Sequence, residues 1–288
     1  MIVSRSQRWR DRRDRFVPST GLIDPRDYAV DVIHCTRQAK PFVQHHHYSA
    51  SFPASRLSLG LFRNGVCGRS DLVGVATFSV PVNNASIVKH TGLQHYNQGA
   101  DLGRLVLLDD VPGNAETFFL ARAFRLLRRE KPEIISIVSY ADPMRRIAPC
   151  GRVIAPGHVG GIYRTMNAAY RGRTRPRVES FTPDGQIFSE RAISKIRNGE
   201  VGHAYSVDEL VRRGAPEPCV DDLSIWLRSL AERGFFTRRR HNGNHIYNFE
   251  LTKAAKLASK HLPRLTYPVL DRQPCSDDVT ALPLLLAA

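Results

Sequence analysis

Residues 99–143 read GADLGRLVLLDDVPGNAETFFLARAFRLLRREKPEIISIVSYADP, and the fold class follows from them. The apolar run from Leu102 to Leu108 has the length of a buried strand. Asn114 then stands where a helix cap belongs, ahead of a helix that lasts to about Glu130. In that helix Leu120, Ala123, Phe124 and Leu127 fall at i, i+3, i+4 and i+7 and make one apolar face, while Arg122, Arg125 and Arg129 line another. A second buried strand, Ile134–Tyr140, follows at once. Strand, helix and strand with no room for further elements predict a right-handed crossover between two parallel strands, hence an α/β protein.

Polar side chains gather at the carboxyl end of the second strand. Ser139, Tyr140 and Asp142 stand where open α/β sheets place their ligands. Downstream, GHVGGIYRTMN (157–167) sets Gly160-Gly161 before a helix predicted over Ile162–Tyr170, where glycines let backbone N–H groups come close to a ligand. Upstream lies His45-His46-His47-Tyr48, and in a regular segment one or two of these histidines at most face a common point.

In this order GRLVL, an acidic turn, Asn-x-Glu-Thr at a helix start, SYADP and Gly-His-x-Gly-x-Ile-Tyr-x-x-x-Asn resemble the phage Mom-like DNA-modification proteins. His46-His47-Tyr48-Ser49 is similar to that family's His-Tyr-Ser element, and HNGNHIYNF (241–249) to its terminal Gly-x-His-x-Tyr strand. The resemblance covers residues 28–172 and, more weakly, 235–250. It implies a divergent GNAT-like acyltransferase fold, with a mixed central sheet and flanking helices. It also implies a transferase that places a carbamoylmethyl (acetamido) group on adenine N6 in phage DNA, evading host restriction.

At 288 residues the chain can bury a full core. Lys and Arg number 42 against 27 Asp and Glu, a net +15 with a pI near 10.1. The excess is clustered: residues 121–177 hold 13 Arg or Lys against three acids, and the first 15 residues hold six Arg against two Asp. That is the footprint of a phosphate binder, so nucleic acid is the leading partner, and the resemblance implies double-stranded DNA. Five scattered cysteines with no Cys-x-x-Cys pair argue against a disulfide framework or a cysteine zinc site. A charged start without an apolar h-region, and no apolar run of about 18 residues, argue against secretion and membrane insertion and for the cytoplasm, which the resemblance implies is that of an infected bacterial host.

The remainder divides into a flexible basic arm (1–27) with Trp9 and Phe16, a GNAT-like core (28–180), a helical region ending in a hairpin (181–265) and a tail (266–288). Strands are expected at Tyr28–Cys35, Arg56–Arg63 and Asp71–Pro81, with Asn64-Gly65 a turn, Thr36 capping a helix through Val43, and Asn83–Tyr96 a helix or loop over the site, which the resemblance implies is a variable lid. Helices are expected at Glu190–Arg197, Val207–Arg213 and Val220–Arg233, the last with a Val220, Leu223, Leu227, Leu230 stripe. Phe235–Arg240 and His245–Leu251 flank an Asn-Gly turn signal and read as a hairpin. Either this hairpin closes the main sheet and the helices are an insertion, or helices and hairpin form a winged helix with Arg238, Arg239, Arg240 and His241 on the wing. Arg171, Arg173 and Arg175, in an alternating basic run, join Arg238–Arg240 as nucleic-acid contacts.

For the chemistry, Arg104 lies within an apolar strand, where an unpaired guanidinium is costly. Either it positions substrate, as the resemblance implies, or it pairs with Asp101 or Asp142. Ser139 and Asp142 either orient substrate and accept a proton from the adenine amine or cap the turn before Pro143. Tyr163 is the candidate general acid. Tyr140, His158 and Asn167 are candidate substrate contacts. His47 and Tyr48 are a base with its orienter or, since iron dependence is suggested for the family, iron ligands. The loop Asp109-Asp110-Val111-Pro112-Gly113-Asn114 has two carboxylates and a proline, which makes a poor pyrophosphate cradle and acetyl-CoA use doubtful. A non-catalytic DNA-binding protein and a CoA-dependent N-acetyltransferase stand as the alternatives.

Overall fold

The computed structural model describes residues 5–10, 13–18, 22–64, 70–81, 83–151 and 153–269. The turn after Asn64, the side chains of Trp9 and Phe16, and the tail from 270 lie outside that description. Strands β1 (Arg5–Arg10) and β2 (Arg13–Pro18) pair antiparallel, where an unstructured arm was expected. Trp, Phe and Val in these segments favour extended backbone.

Strands β3 (Tyr28–Val32), β4 (Ser55–Asn64) and β5 (Ser70–Ser79) form an antiparallel meander, and β6 (Gly99–Leu107) adds to it. Helix α3 (Ala115–Glu130) crosses to β7 (Ser136–Ala141), which pairs parallel with β6, as the apolar periodicity predicts. Phe119, Leu120, Ala123, Phe124 and Leu127 of α3 are buried on Leu59, Leu61, Phe78, Leu102 and Ile137. Asn114 precedes α3 in the left-handed region, φ 64°, and its side chain makes no capping hydrogen bond.

The opposite face carries α1 (Lys40–His46) and α2 (Ala85–Thr91). Val43 packs with Val75 and Val106, and Ile87 with Val138 and Ile246. Ile87, Thr91 and Leu93 are buried, so the segment expected to be a lid anchors one side in the core, while Val88 and Tyr96 are exposed. Thr36 does not cap the first helical turn; His34 does, its ring accepting from Arg37 N.

After β7 come the short pair β8 (Arg146–Ile147) and β9 (Val153–Ala155), the single turn α4 (Gly161–Thr165) and β10 (Ala169–Arg173). The predicted helix Ile162–Tyr170 therefore stops at Thr165, and Tyr170 lies on a strand. Asn167 at φ 57° makes the reversal between them.

The expected hairpin of residues 235–251 does not form. Strand β11 (Arg177–Phe181) pairs with β12 (Ile187–Phe188) and with β13 (Thr237–His241), whereas β14 (His245–Glu250) enters the main sheet between β10 and β7. The main sheet runs β10-β14-β7-β6-β5-β4-β3. β13 and β14 do not pair with each other. Instead β10 and β11 run antiparallel to β14 and β13 as one long bent ribbon shared by two sheets. At its bend Thr174 N donates to Asn244 O and Asn244 N to Thr174 Oγ1. Gly243, φ 93°, is needed there because a Cβ would lie 2.1 Å from Thr174 O.

Helices α5 (Glu190–Arg197), α6 (His203–Arg212) and α7 (Leu223–Glu232) are inserted at the far end of this ribbon. With the small sheet they share a separate core of Phe188, Ile196, Leu210, Trp226, Leu227 and Leu230. Val220 precedes α7 and is exposed, so the α7 stripe is Leu223, Trp226, Leu227 and Leu230. Helix α8 (Lys253–Ala258) follows β14. Among the described residues no helix is long and apolar enough to cross a membrane.

Candidate active site

The parallel pairing of β6 and β7 is brief. It spans Gly99↔Ser136 to Asp101↔Val138, after which β6 continues on β5 alone and β7 on β14 alone. The sheet therefore opens from Asp101 and Val138 onward. A bulge sits on the opening strand: Leu102 faces Phe78 and Arg104 faces Thr77, leaving Gly103 as the extra residue. A side chain at Gly103 would lie 2.4 Å from Ser79 Oγ.

Arg104 points into this region without a carboxylate hydrogen bond. Its Nε donates to Ser51 O at 2.9 Å and a terminal nitrogen to Ser51 Oγ at 2.6 Å, so the expected pairing with Asp101 or Asp142 does not form. Burial lowers its pKa, while Tyr48, Asp101 and Tyr163 act in the opposite direction. An arginine stays charged there, so the opening holds a half-buried cation.

Around it stand several residues named from sequence. Of the three histidines, His45 is exposed, His46 packs on Phe42 and His47 faces Arg104. Burial first, then Arg104 and His158, push the His47 pKa down to about 3, so its ring is neutral. Ser49 engages Nδ1 through N and Oγ, which leaves Nε2 to act on a ligand. Tyr48 lies against the His47 ring at 4.3 Å between centroids, and burial raises its phenol pKa. Tyr163 is buried, and burial raises its pKa against the opposing effects of Ser139 and Arg104. It therefore stays protonated, as a donor must. Ser139 is fully buried beside it, with its Oγ in no well-formed hydrogen bond. His158 lies 6.4 Å from the Tyr163 ring, and burial lowers its pKa. Tyr140 is half-buried on the α2 face, with Asp101 among its electrostatic neighbours.

Asp142 takes a different role from the one expected. Its Oδ2 accepts from Arg146 at 2.7 Å, and its Oδ1 accepts from Met144 N at 2.9 Å and meets His241 Nε2 at 2.9 Å. Burial pushes its pKa up, but Arg146, His241 and Met144 outweigh it and hold the carboxyl below the usual range. A carboxylate so engaged is a poor proton acceptor. Arg146 also donates to Glu179 Oε2 at 2.8 Å, so this network ties the end of β7 to β11 and β13. His241, placed by sequence on a DNA-facing wing, is fully buried within it. Nothing local in HNGN marks that histidine as buried.

Asn167 is exposed and serves the α4–β10 reversal, outside the cluster. As candidate iron ligands, His47 and Tyr48 are adjacent, but among the described residues no group of three His, Cys, Asp or Glu is placed to hold a metal. The carboxylate acting on Tyr48, Asp142, is taken by its own network. Two ligands do not make the two-histidine, one-carboxylate set of non-haem iron, so the described residues do not fit an iron ion. In the β6–α3 loop both Asp109 oxygens are buried without partners and Asp110 pairs with Arg63 at 2.9 Å.

The basic residues divide. Arg171 is a structural residue: its side chain is 3% exposed and bonds Glu250 and the carbonyls of Leu262 and Pro263. Arg173, Arg175, Arg238, Arg239 and Arg240 are exposed, Arg239 lying 5.3 Å from the Phe181 ring centroid.

Residues 27–217 match the family described as the Mom protein family. The chain is also 30% identical over 176 residues to the methylcarbamoylase Mom of Escherichia phage Mu, a match that covers 60% of this chain and 65% of that protein.

Proposed function

Since the chain belongs to the Mom protein family, we propose that it is a transferase that modifies DNA, placing a carbamoylmethyl group on adenine N6. The observation that carries this reading is the convergence of Arg104, Ser139, Tyr163, His47 and Tyr48 where β6 and β7 part. In this reading the Arg104 guanidinium holds the amide oxygen of the transferred group and Tyr163 donates a proton to the departing group. Tyr48, lying on the neutral His47 ring, offers an aromatic surface for an adenine flipped out of double-stranded DNA. An antiparallel meander leading into a parallel crossover supports a GNAT-type ancestry for the core. The unpaired Asp109 carboxylate before α3 would repel a diphosphate, which weighs against acetyl-CoA as donor. The protein would act on phage DNA in the host cytoplasm and shield it from restriction.

The test is nucleoside mass spectrometry of plasmid DNA from cells expressing the protein. An adenine carrying the mass of an acetamido group is expected with the wild type. Arg104→Ala is expected to reduce it on the order of 100-fold, the cost of removing one preorganised donor, and Tyr163→Phe to reduce it comparably. Soluble protein that binds DNA and leaves adenine unmodified would favour the binding-protein reading.

We read the exposed arginines of β13 as phosphate contacts. Arg238→Ala with Arg240→Ala should weaken duplex binding and flatten the salt dependence by roughly two units of slope, about 0.9 per lost contact. Arg171→Ala should instead lower the melting temperature. An unchanged salt slope in the double variant would remove β13 from the interface.

A further inference from the structure

With Asp142 held by three donors, the carboxylate expected to accept the proton is already engaged. Asp101 fits that role on geometry. It is the last β6 residue paired with β7, so it stands at the apex of the opening. Ser79 faces Asp101 and Thr77 faces Arg104 across β5. Positions facing each other across antiparallel strands share a face, and Ser79 and Thr77 lie on one face of β5. Asp101 and Arg104 therefore point the same way. Without the Gly103 bulge, three residues of separation would put them on opposite faces. Asp101 Oδ1 is buried and accepts no hydrogen bond. A carboxyl left so in a folded protein carries a cost that packing alone does not explain.

Building on the adenine-modification reading, we propose that Asp101 is the general base that takes a proton from the adenine N6 amine during group transfer. The donor is a molecule carrying the carbamoylmethyl group on a leaving group. The N6 lone pair forms the new bond to the methylene carbon. The bond from that carbon to the leaving group breaks, its electron pair departing with that group, and the N6 proton passes to the Asp101 carboxylate. Arg104, on the same face, holds the amide oxygen while this occurs. Burial pushes the Asp101 carboxyl up to about 7, with Arg104 opposing, which is where a base working near neutrality is most effective. The neutral His47, with its pKa near 3, is the weaker acceptor.

The experiment compares wild type, Asp101→Asn and Asp101→Glu by nucleoside mass spectrometry of plasmid DNA, with melting temperatures of the purified proteins at pH 5 and pH 8. Asp101→Asn is expected to lower modified adenine at least about 100-fold, the low end of general-base catalysis, while melting at or above the wild-type temperature at pH 8. Asp101→Glu, which keeps the acid one methylene further out, is expected to retain more modification than Asn. Wild-type modification by a folded Asp101→Asn overturns the assignment. So does a lowered melting temperature in Asn together with equal loss in Glu, which would make Asp101 a structural residue. No modified adenine with the wild type removes the function reading itself, and this assignment with it.

Discussion

Replacing Arg146 with methionine is expected to cost about 3–5 kcal/mol of folding free energy, the range for removing one partner of a buried ion pair. Arg146 is 7% exposed and bridges Asp142 at 2.7 Å to Glu179 at 2.8 Å; Glu179 is itself 6% exposed. Methionine fills much of the same space but leaves two carboxylates facing each other with one guanidinium fewer. Arg177 still reaches Glu179 at 2.6 Å and His241 still reaches Asp142, so the loss is large rather than total. In a chain of this size that corresponds to a fall in melting temperature on the order of 10 °C. Arg146→Lys should not rescue it, because one ammonium cannot reproduce a fork spanning two carboxylates. Arg129→Met serves as the control: its pair with Glu130 is at the surface, and the expected change is within about 1 kcal/mol. Thermal melts of the three variants decide the matter; equal melting of Arg146→Met and Arg129→Met would show the network to be energetically idle.

Mild acid should destabilise the protein strongly, chiefly through histidines buried in their neutral form. Burial holds His47 near 3 and both His90 and His245 near 4, with Arg104, Lys89 and Arg173 respectively adding to the effect. A histidine whose folded pKa is depressed contributes stability that is complete above about 6.5 and is lost as pH falls toward the folded value. Between pH 7.5 and pH 5 a fully buried group of this kind costs about 2 kcal/mol, while the half-buried His90 is screened by solvent and costs less, so the three together cost about 5 kcal/mol. Asp101 opposes this. Its folded pKa of about 7 lies above the unfolded value, so its protonation restores about 2.5 kcal/mol over the same interval. The net loss is about 2.5 kcal/mol, a large part of the stability of an ordinary domain. Urea unfolding at pH 7.5 and pH 5 measures it as a drop in midpoint. In Asp101→Asn the compensating gain is absent and the drop should be nearly twice as large. An equal midpoint at the two pH values would mean that these histidines are not buried neutral.

The crossover from β6 through α3 to β7 was legible because it is a local pattern: one apolar stripe at helical spacing between two short apolar runs. His47, Tyr48, Arg104, Ser139, His158 and Tyr163 could be named individually, since polar side chains at strand ends and beside glycines are local marks as well. Their shared location was not readable in the same way, and Asp101 shows why. Strict alternation puts residues 101 and 104 on opposite faces, and only the bulge at Gly103, set by pairing with β5, brings them together. Arg171 and Arg173 look alike in an alternating basic run, yet the segment around Leu262 and Pro263 returns to bury the first and leaves the second exposed.

Composition and local periodicity were enough for a basic α/β protein with a β6–α3–β7 crossover, and local marks were enough to name candidate side chains one at a time. The tertiary structure alone decided that the Asn-Gly turn joins two sheets instead of closing a hairpin, that His241 lies buried against Asp142, and that Asp101 faces the site with Arg104. The physical reason is range. Helical periodicity and turn propensity are set by neighbours in the chain, whereas strand partners, bulges and buried ion pairs depend on segments as far apart as Asp142 and His241, brought together only when the whole core packs.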